Sequence, residues 1–166
     1  AIIWAYLDGA VRGFIVESGT PGFTQRPIHH KFSMRASVTG EIGLNDCKVP
    51  EASLLPGTEV GLVSALKCLN QARYGIAWGV LGAAAACYQE AVRHARTRVM
   101  FNKPIGSFQL VQEKLADMLT GITTGQLLCL QLSRLMAEGR LHHSQVSMAK
   151  RNNVRMALDT ARKSRD

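Results

Sequence analysis

Apolar residues recur at intervals of three and four through most of the chain after residue 57, and this periodicity limits the possible folds more than any other feature. Such spacing predicts amphipathic helices. We predict a first helix over residues 58–99, a second over residues 107–138 with Ser107 as its N-cap, and a third from about residue 144. Long helices joined by short connections pack as antiparallel bundles, and three of this length normally require a fourth.

Each predicted helix carries one apolar stripe. The stripe of the first helix contains Val63, Leu66, Leu69, Ile76, Val80, Ala83 and Cys87. The stripe of the second contains Val111, Leu115, Met118, Ile122, Cys129, Leu132 and Met136, widened by Leu110, Leu119 and Leu130. The stripe of the third contains Val146, Ala149, Val154, Ala157 and Ala161.

The first part of the chain has the pattern of β-structure. Two apolar runs separated by Asp8-Gly9-Ala10 predict a hairpin, and residues 21–23 predict a turn. Further along, Val38, Ile42 and Leu44 alternate with polar residues, as in a strand with one apolar side.

The fold class predicted from these patterns is α+β and mostly α. Residues 1–56 form a partial antiparallel β-sheet domain, and residues 57–166 form three long helices of an incomplete four-helix bundle. The chain starts in a strand-like run and stops in a helical pattern, so we expect an internal piece of a longer protein.

The chain is basic, with 20 Lys and Arg against 12 Asp and Glu and a net charge of +8. A nucleic-acid-binding bundle is one interpretation of this charge, and a solvated basic surface is the other. The second is favoured because no aromatic residues interleave with the basic ones as a stacking platform would require. No apolar run is long enough to cross a membrane.

Nothing in the sequence predicts a metal site or a familiar catalytic motif. The four cysteines are far apart, and three lie in helical apolar patterns that indicate buried, reduced thiols. The two His-His pairs are adjacent in sequence and fit loops better than a ligand cluster. Phosphate-binding glycine loops and a Ser-His-Asp arrangement are also missing.

The connector between the first two helices, "RVMFNKPIGSFQ" at residues 98–109, is the main candidate site. We call these residues the corner. Arg98 offers a planar cation at one end and Gln109 an amide at the other, as a phosphate-binding site would. The alternative is that Arg98 pairs with the C-terminus of its own helix while Gln109 only fills the first helical turn.

Several stretches resemble the acyl-CoA dehydrogenase family. They are "KFSMRAS", "DCKVPEASLLPG", "LNQARYGIAWGVLGAA", "RVMFNKPIGSFQLVQEKLADM" and "SMAKRNNVRMALDTARKSRD", in an order that spans nearly the whole chain. Within the family, "RGFIVESGTPGF", "KFSMRASVTGEI" and "ARYGIAWGVLGA" are most similar to the members that act on glutaryl-CoA.

The resemblance implies FAD as cofactor and two groups of binding residues. Arg98, Phe101 and Gln109 would contact the FAD of a neighbouring subunit, with Arg98 at the diphosphate. Leu66, Leu69, Asn70 and Arg73 would line the acyl-CoA channel, with bundle packing and a surface salt bridge as the alternative.

Gly75, Gly79 and Gly82 are expected to permit close helix approach. The family usually has Phe-Gly-x-Pro where this chain has Phe101-Asn102-Lys103-Pro104, and asparagine tolerates the left-handed backbone that such a turn needs.

The resemblance also implies a reaction that this chain cannot complete alone. The parent enzyme would oxidise and decarboxylate glutaryl-CoA to crotonyl-CoA, in lysine and tryptophan degradation, and pass electrons to electron-transfer flavoprotein. Its glutamate base lies in a downstream Tyr-Glu-Gly-Thr segment outside these residues, so no catalytic residue is assigned. A homotetramer built as a dimer of dimers is expected, in the mitochondrial matrix of a eukaryote or the cytoplasm of a bacterium. The rival interpretation is a helical interaction module that has lost the chemistry.

Overall fold

The computed structural model describes all 166 residues, which form two compact units, Ala1–Leu66 and Lys67–Asp166. The predicted domain boundary, between residues 56 and 57, lies earlier in the chain than this division. Three long helices and six short strands confirm the predicted fold class of α+β, mostly α. None of the helices combines the length and the hydropathy needed to cross a membrane.

The first unit begins with the predicted hairpin. β1 (Ile2–Leu7) pairs with β2 (Ala10–Ile15) in antiparallel register through a two-residue turn. Both turn residues, Asp8 and Gly9, have positive φ, at 50° and 78°. Such a turn matches the right-handed twist of paired strands, which explains the strong hairpin signal in the sequence.

A second hairpin follows in the same unit. β3 (Phe23–Pro27) pairs with β4 (Gly40–Leu44). Gly22 precedes β3 at φ 80°, and a Cβ there would collide with the carbonyl oxygen of Asn45. The predicted alternation holds for Ile42 and Leu44 but is wrong for Val38, which lies before the strand and is 88% exposed. The chain is still in the β3–β4 connection at that point.

The three predicted helices form with shifted ends. α1 is Leu62–Thr97, α2 is Gln109–Ala137 and α3 is His143–Lys163. α1 begins later than predicted because Gly61 has φ 66°, outside helical geometry. Its end is earlier because Val99 pairs with Pro104 in a short hairpin.

Ser107 is not the N-cap of α2. The N-cap is Phe108, and Ser107 lies in a preceding 3-10 turn (Ile105–Ser107), where its hydroxyl donates to the carbonyl of Pro104 at 2.7 Å. α3, in contrast, has side-chain caps: the His142 side chain accepts from the Ser144 amide, and the Gln145 side chain accepts from the His142 amide.

The helices pack through small residues in an antiparallel arrangement. The buried cluster contains Ala77 and Leu81 of α1, Cys129 and Leu132 of α2, and Ala149 of α3. Early α1 meets late α2, since the Tyr74 hydroxyl is hydrogen-bonded to that of Ser133. Late α3 meets early α2, where Lys163 pairs with Asp117 at 2.6 Å.

One buried amide joins all three helices. Asn153 of α3 is fully buried and donates to the Ala77 carbonyl of α1 at 3.0 Å. The same nitrogen lies 3.2 Å from the Cys129 sulfur and 3.4 Å from the Gly125 carbonyl of α2. A buried amide without partners would destabilise the fold, so these contacts fix the relative position of the helices.

The central part of the predicted stripe of α2 is correct, but the residues that widened it, Leu110, Leu119 and Leu130, are exposed. The predicted stripe of α1 lies on the wrong face. Met118, Ile122, Cys129 and Leu132 are buried as expected. In α1 the buried residues are instead Ala77, Leu81, Ala84 and Ala95, and large apolar residues of the predicted stripe are exposed: Val63, Leu66, Leu69 and Ile76. Close packing of α1 against its neighbours requires small side chains, and hydrophobicity alone does not reveal this.

The cysteine prediction is partly correct. All four thiols are free, and Cys129 is buried. Burial raises the pKa of the Cys129 thiol above its ordinary value, so it stays protonated at neutral pH. Cys68, which was expected in a buried stripe, is exposed because it lies on the outer face of α1.

We predict opposite effects for two glycine-to-alanine substitutions in the 166-residue chain. A Cβ at Gly125 would lie 2.7 Å from Leu81 Cδ2 and 2.9 Å from Asn153 Oδ1, so Gly125→Ala should lower the free energy of unfolding by about 1–3 kcal/mol. At Gly82 a Cβ meets no atom within 4 Å, so Gly82→Ala should raise it by about 1 kcal/mol. Denaturant unfolding followed by circular dichroism measures both, and equal stabilisation by the two changes would contradict the packing described above.

Candidate functional site

The corner is a hairpin set between two helix ends. The amide of Arg98 donates to the His94 carbonyl at 2.8 Å, which closes the last turn of α1. β5 (Val99–Met100) then pairs with β6 (Lys103–Pro104), and the amide of Ile105 donates to the Arg98 carbonyl at 2.9 Å. This pairing makes the connector a short hairpin.

The turn of this hairpin requires unusual backbone geometry. Phe101 and Asn102 have φ of 52° and 64°, both in the left-handed region. Asn102 therefore has the left-handed backbone that asparagine was expected to tolerate. A bulky residue such as Phe101 is strained there, at a cost of about 1–3 kcal/mol, and such strain is concentrated at functional sites.

Arg98 is exposed, and its guanidinium forms no hydrogen bond or ion pair within the chain. The alternative, in which Arg98 pairs with the end of its own helix, is not observed. Those carbonyl groups are taken by other donors, since the Thr97 hydroxyl lies 3.1 Å from the Arg93 carbonyl and 3.2 Å from that of His94. The guanidinium is therefore available to an external anion.

Phe108 contacts both Phe101 and Lys103, although it was not predicted from the sequence as a site residue. The rings of Phe101 and Phe108 meet edge to face, with centroids 6.2 Å apart. The ammonium nitrogen of Lys103 lies 4.3 Å from the centroid of the Phe108 ring, within the range of a cation–π contact. Phe101 is still 84% exposed, so it packs at the corner while presenting most of its surface.

Gln109 is the first residue of α2, and no side chain caps the amide groups of that end. Free N–H groups and the positive end of the helix dipole favour an anion there. The first turn of α2 is tied to the preceding residues by a hydrogen bond, in which Gln112 Nε2 donates to the Gly106 carbonyl at 3.0 Å. Gly106 also packs closely on α1, where a Cβ would lie 3.1 Å from the Ala95 carbonyl oxygen.

The charge of the corner is entirely positive. Residues 98–109 contain Arg98 and Lys103 and no acidic residue. Two turns before the corner, Glu90 is paired with Arg93, and the hydrogen bond from Arg93 lowers the pKa of Glu90, which stays ionised at neutral pH. The carboxylate of Glu90, near the end of α1, is therefore already paired with an arginine of the same helix.

The four predicted acyl-CoA residues follow one another on α1. Leu66 and Leu69 are exposed, and Asn70 and Arg73 are half-buried. Arg73 forms no ion pair, so the surface salt bridge suggested as the alternative is absent. At 1.5 Å per helical residue, Arg73 lies about 36 Å from the corner end of α1.

The expectation for the glycines of α1 is wrong within this chain. A Cβ on Gly75, Gly79 or Gly82 would meet no atom within 4 Å. No other part of the chain approaches these residues, because the helix buries its alanine face instead. The close helix approach in the chain occurs at Gly125 of α2.

A cavity borders the corner, and its lining includes Ile105 but none of the predicted site residues. It is an open groove of about 640 Å³ in the second unit, lined by the later half of α1, the start of α2 and the end of α3. Its lining includes Cys87, Glu90, His94, Lys114 and Asp166. No group of three or more His, Cys, Asp or Glu residues is placed to hold a metal ion.

The geometry described so far defines a helical-bundle domain with an exposed basic corner that contains no acidic residue. The family model described as "Acyl-CoA dehydrogenase, C-terminal domain" matches residues 59–165. The chain therefore belongs to the acyl-CoA dehydrogenase family, whose cofactor is FAD, and this confirms the resemblance seen in the sequence.

Solved structures and a curated relative agree with this assignment. Glutaryl-CoA dehydrogenase from Mycobacterium smegmatis is 47% identical with a TM-score of 0.94, over 99% of this chain and 42% of that one. A structure of a glutaryl-CoA dehydrogenase from the same organism in complex with FADH2 is 43% identical, with the same TM-score and coverage. The short-chain specific acyl-CoA dehydrogenase of Megasphaera elsdenii is 34% identical over 152 residues, which are 90% of this chain and 40% of the relative. The chain thus spans well under half the length of these proteins.

We predict that the corner depends on the left-handed conformation of Asn102. Asn102→Ala should lower the free energy of unfolding by about 1–2 kcal/mol, because a Cβ without a local hydrogen-bonding group disfavours positive φ. Asn102→Gly is the matched control and should leave stability unchanged or slightly higher. Thermal unfolding of the three proteins measures the difference. Equal stability of the alanine and glycine variants would show that the turn does not need this backbone.

Proposed function

We propose that the chain is the middle-to-C-terminal part of an FAD-dependent acyl-CoA dehydrogenase that acts on glutaryl-CoA. The observation that carries the proposal is the exposed, unpaired Arg98 beside the uncapped first turn of α2. A guanidinium fork can donate two parallel hydrogen bonds to neighbouring phosphate oxygens, and the helix end adds a favourable dipole. The corner therefore suits the diphosphate of FAD.

The residues of the chain bind and orient rather than transfer protons. Arg98 would hold the diphosphate, Gln109 would donate to and accept from the nucleotide, and Phe101 would cover it with an aromatic face. When bound, FAD supplies the hydride acceptor of an acyl-CoA oxidation. On α1, Asn70 and Arg73 would contact polar groups of the CoA arm, while Leu66 and Leu69 would contact its apolar part.

The distance along α1 supports a site shared between subunits. Arg73 and the corner are separated by about 36 Å along α1, too far to meet around a single flavin-to-substrate contact. The corner of one chain would therefore serve the FAD of a neighbouring subunit, and the acyl-CoA face would serve its own. A homo-oligomer follows from this arrangement, and a dimer of dimers is the form we propose.

Glutaryl-CoA is the proposed substrate because glutaryl-CoA dehydrogenases are among the most similar solved structures, at 47% and 43% identity. The proposed products are crotonyl-CoA and CO2, with electrons passed to electron-transfer flavoprotein. The glutamate base would be supplied by residues outside this chain. The proposed location is the mitochondrial matrix in a eukaryote and the cytoplasm in a bacterium.

We predict that Arg98→Met weakens FAD binding in the full-length protein that contains this chain. Loss of a charge-assisted contact of about 1.5–3 kcal/mol corresponds to a rise in the Kd for FAD of about 10- to 150-fold. Titration of the apoprotein with FAD, followed by quenching of flavin fluorescence, measures the Kd. Arg140→Met is the matched control, because Arg140 is an exposed arginine in the α2–α3 turn, paired with Glu138. An unchanged Kd for Arg98→Met would refute the role of the corner.

We also predict that the 166-residue chain alone does not reduce flavin with glutaryl-CoA, whereas the full-length protein does. The measurement is the loss of oxidised-flavin absorbance after anaerobic addition of glutaryl-CoA. Butyryl-CoA serves as the comparison substrate, since it lacks the second carboxylate. Flavin reduction by the isolated chain would overturn the assignment of the base to residues outside it, and faster turnover of butyryl-CoA by the full-length protein would overturn glutaryl-CoA as the substrate.

A further inference from the structure

We propose that Lys103 is a second cation of the diphosphate site, acting beside Arg98. This inference rests on the proposed function of the corner and adds a residue to it. Its starting observation is that the Lys103 ammonium lies 4.3 Å from the centre of the Phe108 ring, although an exposed lysine would ordinarily extend into solvent. Phe108 is the residue immediately before Gln109, so the ring fixes the ammonium beside the start of α2.

The hairpin places Lys103 and Arg98 on one face. Met100 is paired with Lys103, and the hydrogen bond from Ile105 to Arg98 continues the ladder by one step. Side chains alternate along a strand, so Arg98 and Met100 share a face, and Lys103 and Ile105 share the same face across the hairpin. Arg98 and Lys103 are then diagonal cross-strand neighbours, at a typical separation of about 7–8 Å that long side chains easily span.

No carboxylate balances these charges. Neither Arg98 nor Lys103 takes part in any of the four ion pairs, and residues 98–109 contain no acid. The uncapped end of α2 adds a third positive element. Three positive groups at one small corner repel one another, and an anion with two adjacent charges relieves this repulsion better than a single carboxylate.

A dinucleotide diphosphate has the matching chemistry. Its two phosphate groups each carry a negative charge and lie next to each other, so the planar fork of Arg98 can take one while Lys103 takes the other as a point charge. The contact with Phe108 reduces the side-chain freedom that Lys103 would lose on binding. Phe108 is thus a positioning residue, since it acts on the ligand through Lys103.

The test uses the full-length flavoprotein and the Kd for FAD at low and high salt. Lys103→Met keeps the apolar stem and removes the charge, and it should raise the Kd roughly two- to fivefold at low salt. The effect should shrink at high salt, because screening weakens an exposed charge–charge contact.

Lys103→Arg should restore binding, and Lys48→Met, at an exposed lysine of the first compact unit, should have no effect. Phe108→Leu should reproduce the salt-dependent loss, and Lys103→Met should add little to it.

The other outcomes distinguish a failure of the inference about Lys103 from a failure of the proposed function. If Lys103→Met binds FAD like the unmodified protein while Arg98→Met binds it weakly, the inference about Lys103 is wrong and the proposed function stands. A loss with Lys103→Met that is equal at low and high salt would assign Lys103 to packing and would also overturn the inference. If neither substitution changes the Kd, the corner does not bind the diphosphate and the proposed function fails as well.

Discussion

The buried amide of Asn153 is the contact on which the arrangement of the helices depends. Its donation to the Ala77 carbonyl at 3.0 Å requires α1 and α3 to approach closely, and its place beside Gly125 requires α2 to do the same. Only a residue without a side chain fits at Gly125, where added atoms would touch both Leu81 and Asn153. An apolar residue of similar size at position 153 would fill the space but would not specify which backbone groups face each other.

The same contact determines which residues of the bundle are exposed on its surface. Because α1 uses alanines to approach its neighbours, its larger apolar residues, such as Leu69 and Ile76, remain on the outer face. The antiparallel packing also brings Ala95, near the end of α1, against Gly106, just before α2. The corner therefore rests on two helix ends that are fixed relative to each other, and its hairpin is presented with a defined geometry. A binding site gains affinity when its groups are ordered before the ligand arrives.

Sequence reasoning found the three helices, the first hairpin and the family because these depend on local patterns: apolar spacing, the Asp8-Gly9 turn and contiguous motifs. It placed the buried face of α1 wrongly, since hydrophobicity ranks Ile76 above Ala77 although only the alanine allows close packing. It proposed Arg98 and Gln109 as binding residues but did not single out Phe108 and Lys103, whose contact joins a strand to a helix cap and has no fixed spacing in sequence. The positive φ of Asn102 was readable from residue type, whereas that of Phe101 was not.

The length of α1 connects these local features to the proposed chemistry. Its 36 residues place the proposed acyl-CoA residues near one end of the helix and the corner just beyond the other. If both groups act in one reaction, a single subunit cannot bring them together, and each chain must contribute to two active sites. The backbone strain at Phe101 and the repulsion between Arg98 and Lys103 then destabilise the isolated chain. Binding of a neighbour's diphosphate would compensate them, so cofactor binding and subunit association should stabilise each other through this corner.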